Sequence, residues 1–167
     1  MSDQDEIDRI TKQWERERPD LDSSGFQVVG RVIVLADVLK RRVSAALEPL
    51  GLSLWAFDVL ATLRRQGEPY ELTPTELSRA TMLTSGAMTN RLDRLESAGW
   101  IRRERDPNDR RGIRVVLTSA GLQIVDKAIA VRFAEATSAV QSLSAKDQAI
   151  LAKALRDLIT GTERGGE

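Results

Sequence analysis

The chain has 167 residues, 41% of them hydrophobic and 30% charged, with 25 basic and 25 acidic side chains and a formal net charge of +0. That is enough for one well-cored domain, and the balance argues against wholesale disorder. Neither cysteine nor histidine occurs, which excludes disulfides, thiol chemistry, the usual nitrogen and sulfur metal ligands and the commonest catalytic base. G-x-S-x-G, P-loop and G-x-G-x-x-G fingerprints are also missing, so neither an enzyme nor a cofactor or metal protein is expected. The acidic start and the lack of an 18-residue apolar run make the cytoplasm the expected compartment.

In chain order, Ile7, Ile10 and Trp14 recur at helical spacing and predict a short amphipathic helix before Pro19. A polar linker, "DLDSSG" over 20–25, completes an N-terminal extension of residues 1–25. A long helix from Phe26 to Leu47 ends near Pro49 and Gly51. Ser53 caps a helix over 54–65, apolar nearly all round. "TPTE" over 73–76 is a start signal: Thr73 as cap, Pro74 at the first position and Glu76 three residues after the cap. After the turn "TMLT", Thr84 or Ser85 caps a further helix that Gly99 stops.

"WIRRER" and "IRVVL" then read as strands, joined by the turn-rich "DPNDRRG" over 106–112. Thr118 or Ser119 opens a long helix, "SAKD" caps the last one, and residues 161–167 read as a flexible tail. The chain is therefore mainly α with a small β-hairpin. Helix, four-residue turn, helix and hairpin in succession is the order of a winged helix-turn-helix, here over about 53–118.

Charge agrees with this order. Residues 91–114 carry eight arginines against five acids, while the first 25 residues carry eight acids against four basic side chains. One locally basic segment in a neutral protein suits phosphate. On the helix after the turn, Met88, Leu92 and Leu95 share the inward face. Gly86, Asn90, Asp93 and Ser97 lie opposite, with Thr89 and Arg94 on the flanks.

Glycine costs about 1 kcal/mol against alanine inside a helix, so Gly86 reads either as clearance for a major groove or as a permissive residue in a frayed first turn. With Thr84, Ser85, Thr89, Asn90 and Arg94 it forms the candidate reading surface. Arg110 and Arg111 at the hairpin tip are candidates for the minor groove, with Asp109 placed to orient the Arg111 guanidinium.

Over "LTPTELSRATMLTSGAMTNRLDRLESAGWIRRERDPNDRRGIRVVLTSAG", with a D-x-R wing motif at Asp109 and Arg111, the sequence resembles the MarR family of dimeric winged-helix regulators. The resemblance spans about Phe26 to Ile159. It implies a homodimer joined through helices in 26–49 and 119–160, bound as a repressor to a palindromic DNA operator. The extension "QWERERPDLD" resembles the urate-responsive, PecS-like branch. By motif, that branch's ligand residues fall on Trp14, Asp58, Arg91 and Arg103.

The residues themselves also allow a core tryptophan, a helix-fixing aspartate and phosphate-binding arginines. Rival expectations are a tricarboxylate ligand (citrate or aconitate) or a phenolic acid on the same fold. A helical interaction protein without DNA binding is a further rival.

Overall fold

The computed structural model describes residues 4–81, 84–106, 109 and 112–164. Among the described residues seven α-helices and three strands follow one another: α1 Glu6–Glu17, α2 Ser24–Leu47, α3 Leu54–Arg64, β1 Glu71–Leu72, α4 Pro74–Thr81, α5 Ser85–Ser97, β2 Ile101–Arg105, β3 Ile113–Leu117, α6 Ser119–Ala139 and α7 Ala145–Arg164. The mainly α architecture with a small wing is the one expected. No single helix is long and apolar enough to cross a membrane among the described residues.

Local chemistry sets most boundaries. Asp5 and Asp8 form a reciprocal capping box at α1, which the apolar spacing did not reveal. The Ser53 side chain accepts the Ala56 N–H at the start of α3. Thr73 and Glu76 close the box at α4: the Thr73 N–H donates to Glu76 Oε2 at 2.7 Å, and the Glu76 N–H donates to Thr73 Oγ1 at 3.2 Å. The Thr73 N–H, with the Thr73 hydroxyl donating to the same oxygen, holds the Glu76 carboxyl below its ordinary pKa.

Thr84, rather than Ser85, caps α5, accepting from the Ala87 N–H. Gly99 ends that helix at φ +72°. The Trp100 N–H returns to the Leu95 carbonyl at 3.0 Å and the Gly99 N–H to the Glu96 carbonyl at 2.9 Å, a Schellman stop that turns the chain into β2.

The sheet has the order β1-β3-β2. The expected hairpin pairs Ile101 with Leu117 and Arg105 with Ile113. The third strand was not anticipated: two residues, Glu71 and Leu72, pair with Val116 and Val115 and are too short to show alternation. The tail expected from residue 161 begins inside the last helix. α7 continues to Arg164, its last turns reinforced by Thr160 Oγ1 donating to the Arg156 carbonyl and Thr162 Oγ1 to the Leu158 carbonyl. Residues 165–167 lie outside the described residues.

The core joins α3 (Val59, Leu60, Leu63), α4 (Leu77), α5 (Met88, Leu92, Leu95), the sheet (Ile101, Val115) and Val125 of α6, all buried. α2 and α6 pack together, with Arg42 Nε bonded to Glu135 Oε1 at 2.5 Å. α1 docks on α2 beside Gly30, where a Cβ would sit 3.1 Å from Ile7 Cδ1. α7, in contrast, packs only sparsely on its own chain. Ile150, Leu151 and Ile159 on α7, Phe133 on α6 and Val28, Ile33 and Leu35 on α2 remain exposed.

The base of the hairpin is stapled where α5 leaves for β2. Thr118 Oγ1 donates to the Gly99 carbonyl at 2.7 Å and accepts the Gly121 N–H at 3.0 Å. The Thr118 N–H bonds the Trp100 carbonyl at 3.1 Å. A Cβ at Gly121 would lie 1.9 Å from the Trp100 carbonyl oxygen, so α6 can press this closely only with glycine there. Gly121→Ala is therefore expected to lower stability by about 3 kcal/mol, the upper range for overpacking, read as a loss of Tm in thermal unfolding. An unchanged Tm would show that this junction does not constrain the fold.

Candidate nucleic-acid interface and ligand cleft

α5 divides cleanly into two faces. Met88, Leu92 and Leu95 are each 1% exposed, while Gly86, Thr89, Asn90, Asp93 and Ser97 are exposed on the other side. Nothing in the chain lies within 4 Å of where a Gly86 Cβ would stand, so intramolecular packing does not require that glycine. Thr84 is exposed and its hydroxyl oxygen serves as the cap. Arg94 is exposed, with its guanidinium 5.7 Å from the centroid of the Trp55 ring.

Asp109 is exposed and its carbonyl accepts the Gly112 N–H at 2.9 Å, closing the hairpin turn. The wing-tip candidates Arg110 and Arg111, and the Ser85 side chain, lie outside what the structure describes.

The four candidate ligand residues do not form one cluster within a chain. Asp58 and Arg91 do meet, lining a cleft of about 320 Å³ between α3, α4 and α5 with Phe57, Thr62, Arg65 and Thr81. Desolvation by the helices raises the Asp58 carboxyl above its ordinary pKa, and the nearby charges of Arg132, Arg91 and Arg65 offset this in part. Arg65 and Thr62 were missed by the motif. Their signal was helical spacing: Thr62 lies four and Arg65, the C-cap of α3, seven residues after Asp58.

Trp14 sits elsewhere. It is 56% exposed and lines a smaller cavity of about 180 Å³ with Arg18, Leu21, Asp22 and Phe26. It belongs to α1, which docks on α2. Arg103 does face α5, sharing the side of β2 that buries Ile101, but it is drawn to the acids there. Its Nη2 lies 2.7 Å from Asp93 Oδ1, its Nη1 3.5 Å from Glu96 Oε2, and its Nη2 donates to the Thr89 carbonyl at 3.4 Å. Arg103 thus ties wing to helix within the protomer.

Among the described residues no acidic cluster could hold a metal ion. The arrangement offers instead an exposed helix face beside a hairpin, and a cleft in which arginines and the solvent-exposed Asp58 carboxylate surround an opening suited to a small anion.

The raised Asp58 pKa has a definite sign in linkage. The folded state binds the proton more tightly than the unfolded state, so this group's stabilisation is present at low pH and fades as pH rises through its folded pKa. The Tm of Asp58→Asn minus that of wild type is expected to increase between about pH 3 and 7. A difference that stays flat with pH would contradict the desolvation of Asp58.

A family model described as MarR family matches residues 50–112. The HTH-type transcriptional regulator PecS of Dickeya dadantii is 38% identical over 124 residues, covering 74% of this chain and 75% of PecS. AbsC, a MarR family transcriptional regulator from Streptomyces coelicolor, matches in structure with a TM-score of 0.75 and 27% identity, over 87% of this chain and 98% of its own. A mutant MarR of Escherichia coli complexed with operator DNA matches with a TM-score of 0.70 and 28% identity, over 87% of this chain and 96% of that one. With the helix-turn-helix, the wing and the flanking helices all in place, the chain belongs to the MarR family of transcriptional regulators, a family of regulators and not of enzymes.

Proposed function

We propose that the chain is a homodimeric repressor that grips a palindromic operator and lets go when a small planar anion such as urate enters the Asp58–Arg91 cleft. The carrying observation is the division of α5: one face buried at 1% exposure, the other bearing Gly86, Thr89 and Asn90 with open space at the glycine. In this reading α5 enters a major groove. Gly86 supplies clearance, and Thr84, Ser85, Thr89, Asn90 and Arg94 meet bases and phosphates. Asp109, Arg110 and Arg111 belong to a wing in the flanking minor groove. The helix-turn-helix region is about 53–118, preceded by the extension 1–25.

A second copy supplies the two-fold symmetry, with half-site centres about 10 bp apart or a multiple of it. The partner's place is the apolar surface left open on α2, α6 and α7, including a groove of about 640 Å³ lined by Val28, Val32, Leu35, Leu151, Leu155 and Leu158. Covering such a face removes apolar area from water. PecS and the operator-bound MarR structure support the DNA-binding part of the reading.

Release follows from linkage. A ligand shifts DNA affinity only if it binds the free and DNA-bound shapes differently. Arg91 is on the DNA-facing helix and also lines the cleft, so an anion that draws on Arg91 acts on α5 directly. A tricarboxylate is the second reading, favoured by the position of Trp14 outside the Asp58 cleft: a ligand that need not stack on that ring is served by Arg65 and Arg91.

Two tests separate these claims. Gly86→Ala should leave the fold intact or firmer by up to about 1 kcal/mol. It should nonetheless weaken operator binding at least about fivefold, the scale of one lost base-level contact; undiminished binding would remove the groove assignment. In a mobility-shift titration, urate should displace wild-type protein from its operator, and Asp58→Ala or Arg91→Ala should blunt the response. Because Trp14 lies outside that cleft, Trp14→Ala should leave release by urate and by citrate unchanged. A wild-type complex indifferent to millimolar urate would refute the urate reading and leave DNA binding standing.

A further inference from the structure

Eight arginines crowd residues 91–114, and three of the six described are held by acids. Arg102 pairs with Glu104, Arg103 with Asp93 and Glu96, and Arg114 with Asp106 at 2.7 Å and Glu71 at 3.1 Å. Two are held differently. The Arg91 guanidinium lies 5.5 Å from the centroid of the Trp55 ring and that of Arg94 5.7 Å from the same centroid, and neither makes an ion pair among the described residues. Trp55 is the second residue of α3, half-buried against the core. Its ring is therefore fixed on one side and open to cations on the other. An aromatic face attracts a guanidinium through its quadrupole without neutralising it, so a charge held this way stays available to phosphate.

We infer that Trp55 is a positioning residue that holds Arg94 in place for the nucleic acid and shares its ring with Arg91, so that the Asp58 cleft and the DNA-facing flank of α5 meet on one side chain. The spacing supports this. Arg91 and Arg94 are one helical turn apart on α5, and Trp55 and Asp58 are one turn apart on α3, so the two helices present matched pairs. Arg91 stands between an aromatic face and a carboxylate whose ionisation is disfavoured. A change in its pairing alters how much of the ring Arg94 can use. The inference rests on α5 being the DNA-contacting helix.

The test is a double-mutant cycle between Trp55→Leu and Arg94→Gln, using a duplex that the wild-type protein selects from a random pool. Binding is followed by fluorescence anisotropy over a range of salt. Trp55→Leu is expected to weaken binding about two- to fivefold, the scale of one cation–π contact. It should also lower the slope of log affinity against log salt toward that of Arg94→Gln, although no charge has been removed. Added to Arg94→Gln it should cost nothing further, and Trp55→Phe should recover most of the loss. In an Arg91→Gln background the effect of Trp55→Leu should grow, because the ring then serves one cation.

Equal losses with and without Arg94, an unchanged salt slope, or Phe no better than Leu would reduce Trp55 to ordinary packing and overturn the inference. An effect indifferent to Arg91→Gln would overturn the sharing. Should Trp55→Leu fail to fold, fluorinated tryptophans at position 55 alone keep the shape and weaken the quadrupole. Affinity should then fall stepwise with fluorine number, and a flat series overturns the inference. If wild type binds no duplex at any salt, the DNA-binding reading falls and this inference with it; if wild type binds and the cycle is additive, only the inference falls.

Discussion

The outward chemistry of α5 depends on its inward stripe. Met88, Leu92 and Leu95 are all but removed from water, and each such burial is worth about 1.5–3 kcal/mol. Together they fix the rotation of the helix about its own axis, which no hydrogen bond on the polar side could do as firmly. A Schellman stop at Gly99 then fixes where the helix ends, and the Thr118 staple fixes where the hairpin begins. Helix and wing are thereby held as one unit, and Arg103 locks them from the solvent side.

That unit uses its arginines in two ways. Three of the described ones are paired with acids, and two of these set geometry: Arg103 between β2 and α5, Arg114 between β3, β1 and the hairpin turn. Arg91 and Arg94 lie over an aromatic ring instead and keep their charge for other partners. A count of basic residues therefore overstates the free positive charge of the segment. Arg91 and Arg94 sit where α5, α3 and the cleft adjoin. Through Arg91, α5 forms a wall of the cleft as well as presenting an exposed polar face.

The unpartnered surface has the same economy. α7 and the exposed flank of α2 carry large aliphatic side chains that their own chain does not cover. In a neutral protein such faces favour association, since no net repulsion opposes it. The extension helix α1 is fastened by a different device: Arg31 bonds both Asp5 and Asp8, the capping acids of α1, so a single guanidinium joins the helix cap to α2. Trp14 and Asp58 line separate cavities.

Helices, caps and the hairpin were legible in the sequence because each is a local event: period 3.6 in the apolar residues, Thr73 and Glu76 at box spacing, Gly99 where φ turns positive. The inward and outward faces of α5 followed from the same periodicity. β1 was not legible, since two residues show no alternation and their partner lies more than 40 residues away. Nor was the persistence of α7 past Gly161, where side-chain hydroxyls continue the helical pattern. Of the ligand set, the Asp58–Arg91 encounter was foreseeable from motif alone. The diversion of Arg103 to Asp93 and Glu96, and the entry of Arg65 and Thr62 into the cleft, were settled by which helices came to face one another. Residue order by itself thus determined the elements and their faces, because backbone and cap energetics act over a few residues. Only the tertiary structure decided which charges meet, because Coulomb and aromatic contacts depend on distances that exist only after the core has closed.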